Sequence, residues 1–386
     1  MPIKRTIKPA IIRSLFKGKV VILYGARQVG KTTLAREIQS LYKDEAAYFN
    51  CDEPDVREAF TEKTSTQMKA FAGGRKLLIL DEAQRVPNIG RALKLFHDSF
   101  PDIQLLATGS SSFELSDKVS EPLTGRKTEF TLYPFSMEEL ESRYPGPEAG
   151  RLLERRLIYG MYPEIALKSG DPSGELKSLA RSYAYKDVLT HHKIKNHEVL
   201  EKLLQALALQ IGSEVSYNEL ASLLGVDKNT AASYIQILEK AFIVFRLGPF
   251  SRNLRNELKK LRKIYFYDTG LRNALINNLN PMALRQDTGA LWENFLVAER
   301  LKGLANHGID RRLYFWRTQQ KQEIDLLEVE GEAIRAFEIK WGKVRSRPPK
   351  AFSDAYPGAV YAGINRGNYP GFIHPAGDSP DPEAGA

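Results

Sequence analysis

The sequence predicts an α/β protein whose first part is a doubly wound parallel sheet, and three observations predict it. An apolar run, Val20-Val21-Ile22-Leu23-Tyr24, leads into Gly25-Ala26-Arg27-Gln28-Val29-Gly30-Lys31-Thr32 and then into a helical pattern from Thr33. A second apolar run, Leu77-Leu78-Ile79-Leu80, ends on the carboxylates Asp81 and Glu82. Short strand-like runs alternate with helical segments up to Leu132, the pattern of parallel strands crossed by helices. In such a sheet a ligand sits at the carboxyl ends of the strands.

The segment Gly25 to Thr32 fits Gly-x4-Gly-Lys-Thr, a phosphate-binding loop. Its glycines let backbone N–H groups turn inward, and the following helix adds the positive end of its dipole. Lys31 can reach the β- and γ-phosphates, and the Thr32 hydroxyl can ligate Mg²⁺. A chance match in a Gly-containing loop would not be framed by a strand and a helix. Nucleotide binding, ATP or GTP with Mg²⁺, is therefore expected on Gly25, Ala26, Arg27, Gln28, Val29, Gly30, Lys31 and Thr32, with Thr33 following.

After a short strand at Ala46–Asn50, the strand Lys76 to Glu82 is expected to deliver Asp81 to the sheet edge beside Thr32, where it holds Mg²⁺ through water. Glu82 is placed to activate the attacking water as general base. Gln84 can align that water or contact a phosphate. The next strand, Ile103 to Ser110, carries a γ-phosphate sensor; Thr108 and Ser110 are both candidates, with Ser110 preferred by register. Arg126, just before a strand at Lys127–Leu132, is either an arginine finger acting on a neighbouring subunit's nucleotide or a surface arginine.

Composition bounds the rest. A chain of 386 residues suggests two or three domains at about 150 residues each. With 42% hydrophobic and 27% charged residues it is of the globular class. The net charge of +9 favours an anionic partner, with nucleic acid the leading candidate. The single cysteine, Cys51, excludes an intrachain disulfide and a cysteine-based zinc site. No apolar stretch has the length of a signal or a membrane span, so a cytoplasmic protein without a membrane partner is expected.

Leu152 to Leu167 reads as helical, broken at Gly160-Met161-Tyr162-Pro163-Glu164, and can form a lid over the nucleotide. Beyond Tyr185–Val188, apolar residues at 200, 203, 204, 207 and 211 mark the buried face of a helix. Ser216–Leu224, a turn, and Lys228–Lys240 read as helix–turn–helix, with Asp227 as a cap. Its second helix is expected to present Lys228, Asn229, Thr230, Ser233 and Tyr234 outward. Ile243–Leu247 and Lys263–Tyr267 look like the strands of a wing, with Arg252, Arg255, Lys259, Lys260, Arg262 and Lys263 between or beside them. A basic wing beside a polar helix is the footprint of a DNA binder, although such modules also serve for packing. His191-His192 has no partner at ligand spacing and reads as a surface pair.

In the last third, Glu293 lies on an amphipathic helix. Glu323–Val329 and Ala336–Lys340 form a hairpin that brings Asp325 near Glu338, with Glu338 and Lys340 on one face. Two carboxylates on Mg²⁺, a lysine and a helical Glu make up a metal-dependent nuclease arrangement of the PD-(D/E)XK type. A second Mg²⁺ site on Asp325 and Glu338, with Glu293 and Lys340 nearby, is thus expected. Arg317 and Lys321 upstream are either phosphate contacts or loop charges, and residues 376–386 read as a disordered tail.

The chain resembles a group of bacterial and archaeal AAA-type ATPases in which the ATPase domain precedes winged-helix and restriction-endonuclease-like parts. The resemblance is carried by Gly25 to Thr33, Leu80 to Gln84, Leu123-Thr124-Gly125-Arg126, Tyr133-Pro134-Phe135, Gly160 to Glu164, Tyr267-Asp268-Thr269-Gly270-Leu271, and the Glu323-Ile324-Asp325 and Glu338-Ile339-Lys340 strands. Ala83 departs from it, standing where an aliphatic such as Ile is more familiar. The resemblance implies ATP and an ASCE-type, AAA+-like core, but no biological role. The expected organisation is an ATPase core at 1–145, a helical lid at 146–190, a winged helix at 191–272, a nuclease-like domain at 273–375 and the tail. The expected function is an Mg²⁺-dependent ATPase that remodels or translocates DNA, branched DNA included, as a homo-oligomer such as a hexameric ring. The alternatives are an ATP-gated signalling or defence switch with an inert nuclease-like part, and an ATP-gated nuclease.

Overall fold

The computed structural model describes residues 3–109, 119, 122–144, 147–182, 196–250 and 262–375. Ser110, Tyr185–Val188, the His191-His192 pair, Arg252, Arg255, Lys259, Lys260 and the tail from Ala376 lie outside the described residues. The chain divides into two compact units, residues 2–134 with 240–242, and residues 135–239 with 243–386. The boundaries expected near 145, 190 and 272 fall inside the second unit. No helix among the described residues is long and apolar enough to cross a membrane.

The first unit is a five-stranded parallel sheet, β1 (Val20–Gly25), β2 (Ala46–Asn50), β3 (Leu77–Asp81), β4 (Gln104–Gly109) and β5 (Lys127–Leu132), in the order β2-β3-β4-β1-β5. Strands β1, β3 and β4 are buried along their whole length, as parallel strands covered on both faces must be. The order puts β4 between β1 and β3, with Leu23 opposite Thr108 and Ile79 opposite Leu106. Thr108 is thereby set between the loop after β1 and the carboxylates after β3. Helix Lys31–Tyr42 buries Leu34, Ala35 and Ile38 along one stripe.

The second unit is built on a seven-stranded sheet of β6 (Glu214–Val215), β7 (Val244–Pro249), β8 (Arg262–Phe266), β9 (Arg312–Arg317), β10 (Glu323–Glu330), β11 (Ala333–Ile339) and β12 (Val360–Ile364). Its order is β12-β11-β10-β9-β7-β8-β6. The strands expected as a wing pair antiparallel, Val244 opposite Phe266, and β6 adds to their outer edge. They do not stand apart, because β7 runs parallel to β9, Gly248 opposite Tyr314, and joins the hairpin sheet.

The helix–turn–helix forms as Tyr217–Leu224 and Lys228–Lys240, and Asp227 Oδ1 accepts the N–H groups of Asn229 at 2.8 Å and Thr230 at 3.0 Å. One expectation for its second helix is corrected. Tyr234 is buried, together with Ala231, Ile235, Ile237 and Leu238, because it falls on the same stripe of the 3.6-residue repeat. Lys228 and Asn229 are the exposed part of the expected polar face.

The segment read as a lid becomes helices Pro147–Tyr159 and Pro163–Leu167 of the second unit. It packs on helix Thr269–Leu275. Asn273 Nδ2 donates to the carbonyls of Leu157 at 3.0 Å and Ile158 at 2.9 Å, satisfying groups the helix end leaves open. Asp268 caps Leu271 N–H at 2.9 Å through one oxygen and accepts Met161 N–H at 2.7 Å through the other. Gly270 allows the contact, since a Cβ there would lie 2.0 Å from the Tyr159 carbonyl oxygen.

Candidate functional site

The loop between β1 and helix Lys31–Tyr42 takes its shape from close backbone packing. At Gly25 a Cβ would stand 2.3 Å from the Leu132 carbonyl oxygen on β5, so only glycine fits. Ala26 and Val29 are buried, while Arg27, Gln28, Thr32 and Thr33 are exposed and Gly30 is half-buried. The Arg5 guanidinium holds the loop from beneath, donating to the Val29 carbonyl at 3.2 Å and the Tyr133 carbonyl at 2.5 Å. Lys31 is buried, and its Nζ donates to the carbonyls of Gly25 at 3.1 Å and Ala26 at 2.8 Å, with Glu82 Oε1 3.9 Å away.

Asp81 is the node of the site. Its Oδ2 accepts the Thr32 hydroxyl at 2.6 Å and the Tyr48 hydroxyl at 2.5 Å, and its Oδ1 accepts the Thr108 hydroxyl. Tyr48 comes from β2, and the Arg36 guanidinium lies 3.3 Å over its ring. Burial, and then the Asp81 carboxylate, push the Tyr48 phenol well above its ordinary pKa, which keeps it a donor. Glu82 has a left-handed backbone (φ 52°), which is uncommon for a non-glycine residue. Its N–H donates to Thr108 Oγ1 at 3.2 Å, and its carboxylate accepts from Gln84 Nε2. Cys51 is buried next to this group, and desolvation pushes its thiol up to about 12.

The residues present fit a magnesium-bound polyphosphate. The ammonium of Lys31 lies inside the loop, held by carbonyl groups that a phosphate would replace, and the Thr32 hydroxyl and Asp81 carboxylate converge on one place. Arg126 lies elsewhere. Its carbonyl accepts Val20 N–H, so it sits where β1 begins, whereas the loop follows the end of β1. Five strand residues span about 17 Å, so Arg126 lies far from the loop of the same chain. Its exposed guanidinium pairs with Asp98 at 2.9 Å.

A second constellation lies on β10, β11 and helix Thr288–His307. Asp325 and Glu338 do come together, because Leu326 opposes Phe337 across β10 and β11. Asp325 Oδ2 accepts Ile339 N–H at 2.7 Å and Lys340 Nζ at 2.8 Å. Glu338 accepts the Tyr361 hydroxyl at 2.9 Å and lies 3.9 Å from both Lys340 and Arg345. Glu293 is turned to Lys263 Nζ at 3.0 Å and the Tyr265 hydroxyl at 2.7 Å. Desolvation raises the Glu293 carboxyl to about 7, with Lys263 working against the rise.

Among the described residues no three His, Cys, Asp or Glu side chains converge to hold a metal ion. Asp325 and Glu338, expected with Glu293 and Lys340 to form a second Mg²⁺ site, stand in an ion-pair network in which cations of the chain face the carboxylates. Lys263, expected on a basic wing, is 1% exposed and belongs to this network. Arg317 pairs with Glu214 at 3.3 Å and Glu323 at 3.7 Å, while Lys321 is exposed. Sequence reasoning missed Arg5, Tyr48, Lys263, Tyr265, Glu323 and Tyr361 as partners. The one usable signal was the period of two that puts Glu323 on the face of Asp325.

Family models match three stretches of the chain: an AAA domain over residues 17–141, a domain of unknown function (DUF8612) over 150–282 and a second one (DUF4143) over 288–369. An uncharacterized protein of Mycobacterium tuberculosis is 30% identical over 342 residues, 87% of this chain and 74% of that protein. One from Methanocaldococcus jannaschii is 25% identical over 81% of this chain and 73% of its own length. One from Haemophilus influenzae is 23% identical over 86% and 83%. Among solved structures, Pif1 helicase from Candida albicans aligns with 47% of this chain and 48% of its own at 16% identity, with a TM-score of 0.27.

Proposed function

The chain belongs to the family of AAA-domain proteins that contains these mycobacterial, archaeal and Haemophilus relatives, and we propose that it is a magnesium-dependent ATPase that works on DNA. One observation carries the first half: the Asp81 carboxylate shares a hydrogen bond with Thr32 of the loop, and Glu82 stands next to it in a fixed left-handed turn. Lys31 gives up the loop carbonyls to meet the β- and γ-phosphates. Thr32 and Asp81 would hold Mg²⁺, which neutralises charge building on the phosphate oxygens. Glu82, steadied by Gln84, takes the proton of the attacking water, and Thr108, with Ser110, senses the γ-phosphate. The strand order, with β4 between the loop strand and the Asp81 strand, supports an ASCE-type, AAA+-like core.

The DNA half rests on the net charge of +9, the exposed Lys228 and Asn229 at the start of the second helix of the helix–turn–helix, and the antiparallel strands behind it, which support a winged helix. The mixed sheet β9 to β12 supports a restriction-endonuclease-like fold that engages the duplex. In a homo-oligomer, Arg126 would act on the neighbour's nucleotide. The test is ATP turnover with and without linear and branched duplexes, at low and moderate salt. Glu82→Gln is expected to cut kcat by about a hundredfold or more, and Lys31→Ala to abolish binding. A Glu82→Gln variant that hydrolyses ATP normally overturns the ATPase assignment. Turnover indifferent to every duplex, together with no binding at low salt, overturns the DNA assignment and leaves the ATPase one standing.

A further inference from the structure

We propose that the Lys263 ammonium is the resident cation between Glu293 and Glu323, with Asp325 close by, and that its charge is what keeps these carboxylates from taking up Mg²⁺ or Mn²⁺. Lys263 reaches the cluster from β8, a strand paired on both sides: Lys263 faces Leu247 of β7 and Glu214 of β6. Its backbone is therefore pinned, and its side chain is 2% exposed. The Nζ pairs with Glu293 at 3.0 Å and with Glu323, and the Phe315 ring lies 5.6 Å from it. Burial works against the charge, but Glu293, Glu323 and Asp325 outweigh it and hold the lysine protonated.

The neighbouring carboxylates are likewise faced by cations of the chain. Asp325 is shared with Lys340, Glu338 faces Lys340 and Arg345, and Arg317 joins Glu323 to Glu214. A divalent ion entering between Glu293 and Glu323 would have to expel an ammonium whose strand is held on both sides. Two buried positive centres within a few ångströms repel strongly at the low effective dielectric of an interior. Lys263 thus does statically what a metal does in a nuclease, neutralising the carboxylates, but it presents no open coordination position at which water or phosphate could be activated. The cluster joins β8, β10 and helix Thr288–His307 into one body and does no metal-dependent cleavage. The proposal does not depend on ATP hydrolysis.

The experiment is a Mn²⁺ titration of the nucleotide-free, full-length protein followed by electron paramagnetic resonance, with Mn²⁺ alone as probe. The unaltered protein is expected to show no site tighter than the millimolar range. Lys263→Met, which keeps the stem and removes the charge, is expected to gain one site at least tenfold tighter, which Asp325→Asn in the same protein removes. Lys263→Gln replaces it if the methionine variant does not fold. A site in the unaltered protein that Asp325→Asn weakens overturns the proposal, as does a folded, charge-free variant that binds no Mn²⁺. The unaltered protein decides alone if neither variant folds. ATP turnover measured on the same samples is expected to be unchanged.

Discussion

Thr32, Tyr48 and Thr108 all donate to a single carboxylate, and they come from three different elements: the helix after the loop, β2 and β4. When Thr32 turns to a metal ion, Tyr48 remains as the donor to the same Asp81 oxygen and fixes the direction in which the carboxylate faces. A hydrogen bond to a charged group is worth about 1.5–3 kcal/mol. Tyr48→Phe is therefore expected to raise the Mg²⁺ concentration for half-maximal ATP turnover by about tenfold, with a smaller effect on kcat at saturating Mg²⁺. An Mg²⁺ dependence identical to that of the unaltered protein would reduce Tyr48 to a packing residue. Thr108, one of the two sensor candidates, lies one strand over from the loop, and Thr108→Val keeps its volume while removing both of its contacts. That variant should lose turnover while keeping nucleotide affinity within a few-fold, as fluorescent nucleotide titration can show.

Two elements of the second unit lock each other at one place, where the end of helix Pro147–Tyr159 meets the start of helix Thr269–Leu275. Gly270→Ala would force a methyl group against the Tyr159 carbonyl. It is expected to cost more than about 2 kcal/mol, seen as a lowered Tm, and an unshifted Tm would refute the close contact. Both segments stood out in the sequence as motifs, Gly160 to Glu164 and Tyr267 to Leu271, but nothing in the sequence says that one caps the other across about a hundred residues. The same divide runs through both sites. The loop and Asp81-Glu82 were legible because each is a contiguous signal whose strand and helix lie beside it. Tyr48 was not, because its partnership with Asp81 requires β2 and β3 to be neighbours in a given register. A period of two tells which face a side chain takes, not what it meets there. Lys263 was misread for the same reason: a lysine following Lys259, Lys260 and Arg262 looks like part of a basic surface until its strand is placed inside the sheet. Tyr234 was misassigned because a polar tip hides how much apolar ring a helix can bury.

For the molecule as a whole, the excess of positive charge predicts a salt-dependent encounter with DNA. Each phosphate neutralised lowers the slope of log K against log salt by about 0.9. Lys228→Ala should weaken duplex binding uniformly across sequences and make the slope shallower by about 1, measured by fluorescence anisotropy over a range of salt. An unchanged slope would remove Lys228 from the interface. The oligomer is tested at the same scale: Arg126→Ala should lose turnover alone and regain part of it when mixed with a Glu82→Gln protein that supplies the arginine from a neighbour. Failure of such mixtures to complement would leave Arg126 to its surface pair with Asp98. The parallel pairing of β7 with β9 carries a consequence of another kind. The matched stretches 150–282 and 288–369 meet between β8 and β9 in the chain, yet their strands share one sheet. What is inherited as two modules therefore folds as one. A fragment starting at residue 288 would leave the backbone of β9 at Tyr314 and Phe315 as an uncovered edge, ready to pair with another copy. Such a fragment should aggregate where the span from Phe135 to the C-terminus stays monodisperse, so dissection of this chain must follow the sheet and not the limits of the matched stretches.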